Sequence, residues 1–237
     1  MQHLTPEQQQ RYARHLTLPG FGVEGQQKLS RSSVIIIGAG GLGSPIALYL
    51  AAAGVGHIAI ADGDRVDLTN LQRQIIHSTA DIDRPKAISA AESMAAINPT
   101  VSVEAIDRFL SEEEMTNIFP QFDFIIEATD SLETKFTVDR VCHRLKKPYN
   151  HGAIFRYEGQ TMTILPDTTR LSDLFPDGPD AVVRSEVAGP LGVVPGVLGS
   201  LQAAEAIKYL TATGQLLTDR LLRVNLLTME FTTIRLK

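Results

Sequence analysis

A carboxylate, an amide and two cations follow one another along this chain as Asp62, Asn70, Arg73 and Lys86, just after a glycine-rich stretch. That stretch places Gly38, Gly40 and Gly43 at G-x-G-x-x-G spacing, with Gly41 between them. Each type suits one part of a nucleotide. Free N–H groups of a glycine loop opening a helix favour a phosphate. Asp62 can accept ribose hydroxyls. A guanidinium and an ammonium neutralise phosphate charge. The loop and Asp62 alone fit an NAD site equally well, and a glycine turn can be purely structural. The segment Asp62 to Gln74, DGDRVDLTNLQRQ, adds Asp64, Asn70 and Arg73 directly after a strand. Strand C-termini are where an open parallel sheet binds ligands. Hydride transfer has no evident need for Arg73 and a nearby lysine there, whereas a triphosphate does. Taken singly, each charge could be a solvated surface group.

The elements that must hold these residues are legible in the pattern. The apolar run Val34 to Ile37 reads as a strand, and Ser44 to Ala53 as the helix after the loop, ended by Gly54 and Gly56. Ile58 to Ala61 is a second strand. Pro85 suits a first helical turn, so Lys86 sits near the N-terminus of a helix that Asn98-Pro99 closes. Val101 to Ile106 reads as a strand. Ser111 with Glu114 forms a capping-box pattern, and Phe122 to Glu127 is a strand feeding Asp130. A helix over Ser131 to Leu145 and a short strand over Pro148 to His151 follow. Thr5 and Pro6 open an N-terminal helix. Gln160 to Leu165, Leu221 to Asn225 and Thr228 to Leu236 read as strands, the last two as an antiparallel pair, and Gly196 to Thr211 as a helix. Repeated strand–helix alternation predicts an α/β fold: a Rossmann-like, mostly parallel sheet with helices on both faces, extended by C-terminal antiparallel strands. One domain over residues 1–237 is expected, with an N-terminal helical arm at 1–30 and a long loop at about 166–192.

Whole-chain properties narrow the setting. A net charge of −5 argues against broad nucleic-acid binding. One cysteine, Cys142, excludes an intrachain disulfide and fits a reducing compartment. No signal peptide or eighteen-residue apolar span is visible, so a cytoplasmic protein without membrane contact is expected.

The chain resembles the MoeB/ThiF/HesA group of activating enzymes for ubiquitin-like sulfur carriers. The resemblance runs from RYARHLTLPGFGVEGQQKL at Arg11 through GAGGLGSP, LAAAGVGHIAIADGDRVDLTNLQRQ, RPKA, EATDS, GAIFRYEGQ and LGVVPGVLGSLQAAEAIKYL. It implies attack on the ATP α-phosphate by the C-terminal carboxylate of a carrier ending in Gly-Gly. An acyl-adenylate and pyrophosphate result. Asp62 resembles the ribose-binding acid, and Asn70, Arg73 and Lys86 the phosphate-holding groups. Asp130 resembles the acid that supports Mg²⁺. Arg14 resembles the arginine that reaches the partner subunit's site, which implies a homodimer. The loop at about 166–192 corresponds to a crossover above the carrier's tail, and the final strands to a platform for its globular part. Carriers of this kind serve thiamine, molybdenum cofactor, cysteine or thio-tRNA synthesis, and the residues do not choose among them.

Three departures from the group's pattern stand out. Two C-x-x-C pairs that bind structural zinc in many members are missing; Arg170 and Asp173 stand at the first pair, so no zinc is expected. Ser185 stands where many members carry a cysteine, and Cys142 lies in a helix as a buried structural thiol. The chemistry should therefore stop at adenylation, with sulfur supplied by a separate donor protein. Third, Ser131 replaces an amide and Lys135 an arginine, which keeps the charge but loses the planar fork. These changes motivate a second reading, a non-catalytic ATP-binding regulatory relative; an NAD-dependent oxidoreductase is a third. His15, His77 and His151 read as structural groups, Glu112 to Glu114 as a solvated helix start, and Arg156 as a candidate contact for the carrier.

Overall fold

The computed structural model describes residues 4–181 and 189–237. In chain order it runs α1 (Pro6–Arg11), α2 (Ala13–Leu16), α3 (Gly22–Leu29), β1 (Ser33–Ile37), α4 (Gly43–Ala53), β2 (His57–Ala61), α5 (Lys86–Ile97), β3 (Ser102–Ile106), α6 (Glu112–Ile118) and β4 (Phe124–Glu127). It continues with α7 (Leu132–Leu145), β5 (Tyr149–Phe155), β6 (Glu158–Ile164), α8 (Leu171–Leu174), α9 (Val193–Thr211), β7 (Arg220–Asn225) and β8 (Glu230–Arg235).

The strands form one sheet in the order β3-β2-β1-β4-β5-β6-β7-β8. Pairing is parallel from β3 to β5 and antiparallel from β5 to β8. Residues of β1 alternate between two cores, as a period of two requires. Val34 and Ile36 pack with Ile46, Leu50 and Leu198, from α4 and α9, on one face. Ile35 and Ile37 pack with Met115 and Val138, from α6 and α7, on the other. Both faces are thus covered by helices, which is why the central strands read as unbroken apolar runs.

Local chemistry sets the helix ends. Thr5 and Ser111 form capping boxes with Gln8 and Glu114. Asn98 ends α5 and turns its amide inward, donating to the Ala51 carbonyl and to the Tyr12 hydroxyl at 2.8 Å each. Those bonds seat the N-terminal arm on the ends of α4 and α5. Among the described residues no helix is long and apolar enough to cross a membrane.

Three boundaries differ from expectation. The strand expected to stop at His151 continues to Phe155 and turns back at Arg156 (φ +53°) into β6. Gly152, which reads as a stop, faces Thr161 across this hairpin. Helix α9 begins at Val193 rather than Gly196, because Pro195 fits a first turn. The stretch at 166–192 is interrupted by α8 and a 3₁₀ turn at Gly178–Ala181, while Ser185 lies outside the described residues.

Candidate active site

Strand order reverses between β1 and β4: the chain builds β2 and β3 on one side, then crosses to β4. A crevice opens at such a switch point. Here it is a cleft of about 440 Å³ whose lining includes Gly38, Gly40, Gly41, Asp62, Arg73 and Lys86. Gly38 leaves β1 at φ +110°, and a Cβ there would stand 2.7 Å from the Ala128 carbonyl oxygen. That backbone path is open only to glycine.

Asp62 caps the loop from below. Its Oδ2 accepts from the Ala39 N–H at 2.8 Å and its Oδ1 from the Asp64 N–H at 2.8 Å. Burial pushes this carboxyl above the ordinary range, against the pull of those two N–H groups and of Lys86. Each oxygen keeps a lone pair for a further hydroxyl donor.

Lys86 opens α5 and is buried, with its ammonium 2.9 Å from Asp64 Oδ2. Asp64 is half exposed, so a phosphate can take this ammonium without stranding a buried charge. A short 3₁₀ turn, Leu68–Asn70, capped by Asp67, presents Arg73 to the cleft. Arg73 donates to the Thr69 carbonyl at 3.2 Å. Asn70 does not line the cleft: its side chain accepts from the Asp67 N–H at 3.2 Å and closes that turn.

His77 ties the two phosphate-facing elements together. Its Nε2 lies 3.0 Å from the Ala39 carbonyl in the loop, and its Nδ1 lies 2.8 Å from Ser89 Oγ on α5. These partners assign a neutral ring that donates from Nε2 and accepts at Nδ1. Burial pushes the His77 pKa below the ordinary value, and burial does the same to His151. Below a pH of about 6.5 the unfolded chain then binds more protons than the folded one, so stability falls as pH drops from there toward the depressed folded values. An NMR titration should place both imidazole midpoints below 6.5; a midpoint above it for His77 would refute the neutral tether.

On the β4 side, Asp130 is exposed, lines the cleft and has no hydrogen-bond or ion-pair partner among the described residues. Ser131 caps α7, its Oγ accepting from the Thr134 N–H at 3.2 Å. Lys135 is turned inward onto Glu127 at 2.8 Å, so its charge is not offered to the cleft in the way an arginine replacement suggests. Arg14 sits exposed on α2, outside the lining of its own chain's cleft.

Several lining groups escaped the sequence reading. Beyond Asp62 the cleft is walled by Arg108, Phe109, Leu110 and Met115, an apolar pocket with one guanidinium at its rim. The only signal was Phe109-Leu110 directly after a strand. Gln74 also lines the cleft, and its buried Oε1 has no partner among the described residues. Together the lining offers an apolar wall with Arg108 at its rim, a hydroxyl acceptor, a glycine loop, the cations Arg73 and Lys86, and the carboxylate of Asp130. It can hold a nucleoside polyphosphate together with a hard cation. Asp130, which lines the same cleft, is an oxygen ligand of the kind Mg²⁺ takes.

A zinc site does not fit. At the start of α8 the Arg170 N–H donates to Asp173 Oδ2 at 2.8 Å, and Arg170 Nη2 is 2.9 Å from the buried Asp139 Oδ2. Asp139 Oδ1 also accepts from the Tyr149 hydroxyl at 2.8 Å. An ion pair therefore anchors the start of the 166–192 stretch. Burial pushes the Cys142 thiol far up, which removes it as a ligand or nucleophile. Arg170→Met is expected to lower stability by about 3 kcal/mol, because it strands Asp139. Urea unfolding checks this, and an unchanged midpoint would refute the anchor.

Comparison with known proteins identifies the family. The ThiF family pattern matches residues 12–237. A maize (Zea mays) protein named adenylyltransferase and sulfurtransferase MOCS3-1 is 44% identical over 96% of this chain and 49% of its own length. The molybdopterin-synthase adenylyltransferase of Haemophilus influenzae is 39% identical over 100% of this chain and 98% of its own. The chain spans only 49% to 62% of the length of the first curated relatives it matches. Among solved structures, E. coli MccB with ATP superposes with a TM-score of 0.82 at 22% identity, over 95% of this chain and 71% of that one, a likeness of fold alone. The match over nearly the whole chain, on the fold and cleft just described, makes this protein a member of the ThiF family.

Proposed function

We propose that this protein is an adenylyltransferase that activates the C-terminal carboxylate of a small ubiquitin-like sulfur carrier ending in Gly-Gly. The observation that carries the reading is the cleft itself: Lys86 and Arg73 line it together with Asp62, a ribose acceptor, and Asp130, an acid without a side-chain partner among the described residues. The names of relatives support the substrate class. One is the sulfur carrier protein adenylyltransferase of Thermus thermophilus, 40% identical over 96% of this chain and 87% of its own length.

ATP lies with its base on the Phe109 and Met115 wall, its ribose hydroxyls on Asp62, and its phosphates over the glycine loop. The carrier's carboxylate is ionised at neutral pH, so no general base is needed. One of its oxygens attacks the α-phosphorus. The bond from that phosphorus to the oxygen bridging the α- and β-phosphates breaks, and its electron pair leaves with pyrophosphate. Lys86 releases Asp64 to hold phosphate, and with Arg73 stabilises the departing charge. Asp130 would hold Mg²⁺, which would supply further neutralisation of phosphate charge.

The remaining assignments follow the same reading. Arg14 lies outside its own cleft and next in sequence to His15, which lines an apolar groove with Tyr49, Ala52, Ala203 and Ile207; a homodimer that buries this groove would bring Arg14 to the partner's phosphates. Exposed Phe155 and Tyr157 flank Arg156 at the hairpin tip, a surface for the carrier. With one buried, unreactive cysteine, sulfur comes from a separate donor protein. The setting is cytoplasmic.

ATP–pyrophosphate exchange with Mg²⁺, with and without candidate carriers, tests the reaction. Exchange that depends on a Gly-Gly carrier is the expected result, and the best carrier names the pathway. Binding of NADH with no binding of ATP would sink it. Mixed dimers of Arg14→Ala and Asp130→Ala chains should recover exchange, because each mixed pair keeps one complete site; no recovery from dimers shown to mix would refute the role of Arg14 across the interface.

A further inference from the structure

Four oxygens surround the Lys135 ammonium: Glu127 Oε1 at 2.8 Å, Glu127 Oε2 at 3.0 Å, the Thr129 carbonyl at 2.6 Å and the Gly152 carbonyl at 2.7 Å. An ammonium has three N–H groups. None is left for a ligand, even though Lys135 touches the floor of the cleft. The side chains of Glu127 and Lys135 are 0% and 6% exposed. A second shell closes around Glu127: His151 Nδ1 donates to Oε2 at 2.8 Å, and Gln202 Nε2 of α9 donates to its carbonyl at 3.0 Å.

The bland role for such a cluster is stability alone, as a buried ion pair joining β4, α7 and β5. Its connections reach further than that. Thr129 is held at both ends of the residue, its carbonyl by Lys135 and its N–H by Glu127 Oε1 at 2.9 Å. Thr129 Oγ1 then accepts from the Ser131 N–H at 3.1 Å. Asp130 lies between these two anchored residues, and its own side chain has no partner among the described residues. The backbone path therefore sets where its Cα–Cβ bond points, and with it the range its carboxylate can reach; that path is wrapped around a cation.

We propose that Lys135, with Glu127 as its counter-charge, is the positioning residue for Asp130: the buried ammonium sets the 127–131 turn and does not itself touch phosphate or carrier. The consequence for metal rests on the reading of Asp130 as the acid that supports Mg²⁺. A misplacement of about 1 Å in such a group costs up to roughly 10²-fold.

Two measurements on Lys135→Met test this, with ATP and Mg²⁺ as the only probes. Hydrogen exchange should show the amides of residues 128–131 opening about tenfold more readily than in wild type. ATP affinity without metal should stay within about threefold of wild type, while the gain in affinity on adding Mg²⁺ shrinks by about tenfold or more. Adding Asp130→Asn to Lys135→Met should then remove nothing further, since both act through one carboxylate. Lys135→Arg should restore part of the gain. Unchanged exchange at 128–131 overturns the proposal. So does an equal loss of metal-free and Mg²⁺-dependent affinity, which would mean direct contact with ATP. If Asp130→Asn alone leaves the Mg²⁺ gain intact, the reading of Asp130 fails, and the exchange result still decides whether Lys135 sets the turn. Should Lys135→Met not fold, Glu127→Gln keeps the lysine and its volume and carries the same two measurements.

Discussion

Lys86→Ala should lower adenylate formation by roughly 10³-fold while leaving the fold intact, the magnitude expected when one group that meets developing phosphate charge is lost. The reason lies in how its charge is held. The ammonium is buried but its partner, Asp64, is half exposed, so removing the lysine returns a carboxylate to water rather than stranding it. The cost in stability should be about 1–2 kcal/mol, from the lost packing of the buried stem and the lost attraction to Asp62, too little to unfold the chain. Asp130→Ala should have a comparable effect on rate for the complementary reason: an exposed acid without partners among the described residues has little structural to lose. Pyrophosphate exchange read beside circular dichroism separates rate from folding. Wild-type exchange in either variant would sink the site assignment.

Gly43→Ala should remove ATP binding and destabilise the fold together. The ideal Cβ at this position stands 2.0 Å from the Gly38 carbonyl oxygen. Two effects compete. Gly43 is the first residue of α4, where alanine is intrinsically better by about 1 kcal/mol. Against that, the contact is with backbone, which cannot rotate aside, and overpacking of this kind costs about 1–3 kcal/mol or more. The clash wins, for a net loss of about 2 kcal/mol. The loop must open to relieve it, and that moves the N–H groups meant for phosphate. A midpoint of urea unfolding equal to wild type, with normal ATP affinity, would show that the loop is not packed this way.

Much of this molecule was legible before any coordinates. The apolar run Val34 to Ile37, the glycine spacing and the Ser111–Glu114 box are local signals. Each depends on neighbours within a few residues, where period and capping chemistry act directly. The family pattern along the chain located Asp62, Arg73, Lys86 and Asp130, and the first three of these lie with Asp130 around one cleft. Local patterns also put the hairpin boundary in the wrong place. Gly152 reads as a stop when only its own segment is considered, yet it lies within β5 because β6 pairs with it.

What the tertiary structure alone decided is where each charge points. Lys135 has the same residue type whether it faces phosphate or faces Glu127; only the arrival of β4, β5 and α7 at one point turns it inward. Asn70 is likewise an amide in a promising motif until the 3₁₀ turn takes its side chain for its own cap. Arg170 and Asp173 stand at the position of a cysteine pair that the resemblance implies, and Arg170 becomes an anchor only because Asp139 comes from α7 to meet it. Strand and helix type follow from short-range periodicity and capping. The direction of a long charged side chain depends on partners brought together from distant parts of the chain, and on the cost of leaving a buried charge unpaired, which is large enough to decide the matter.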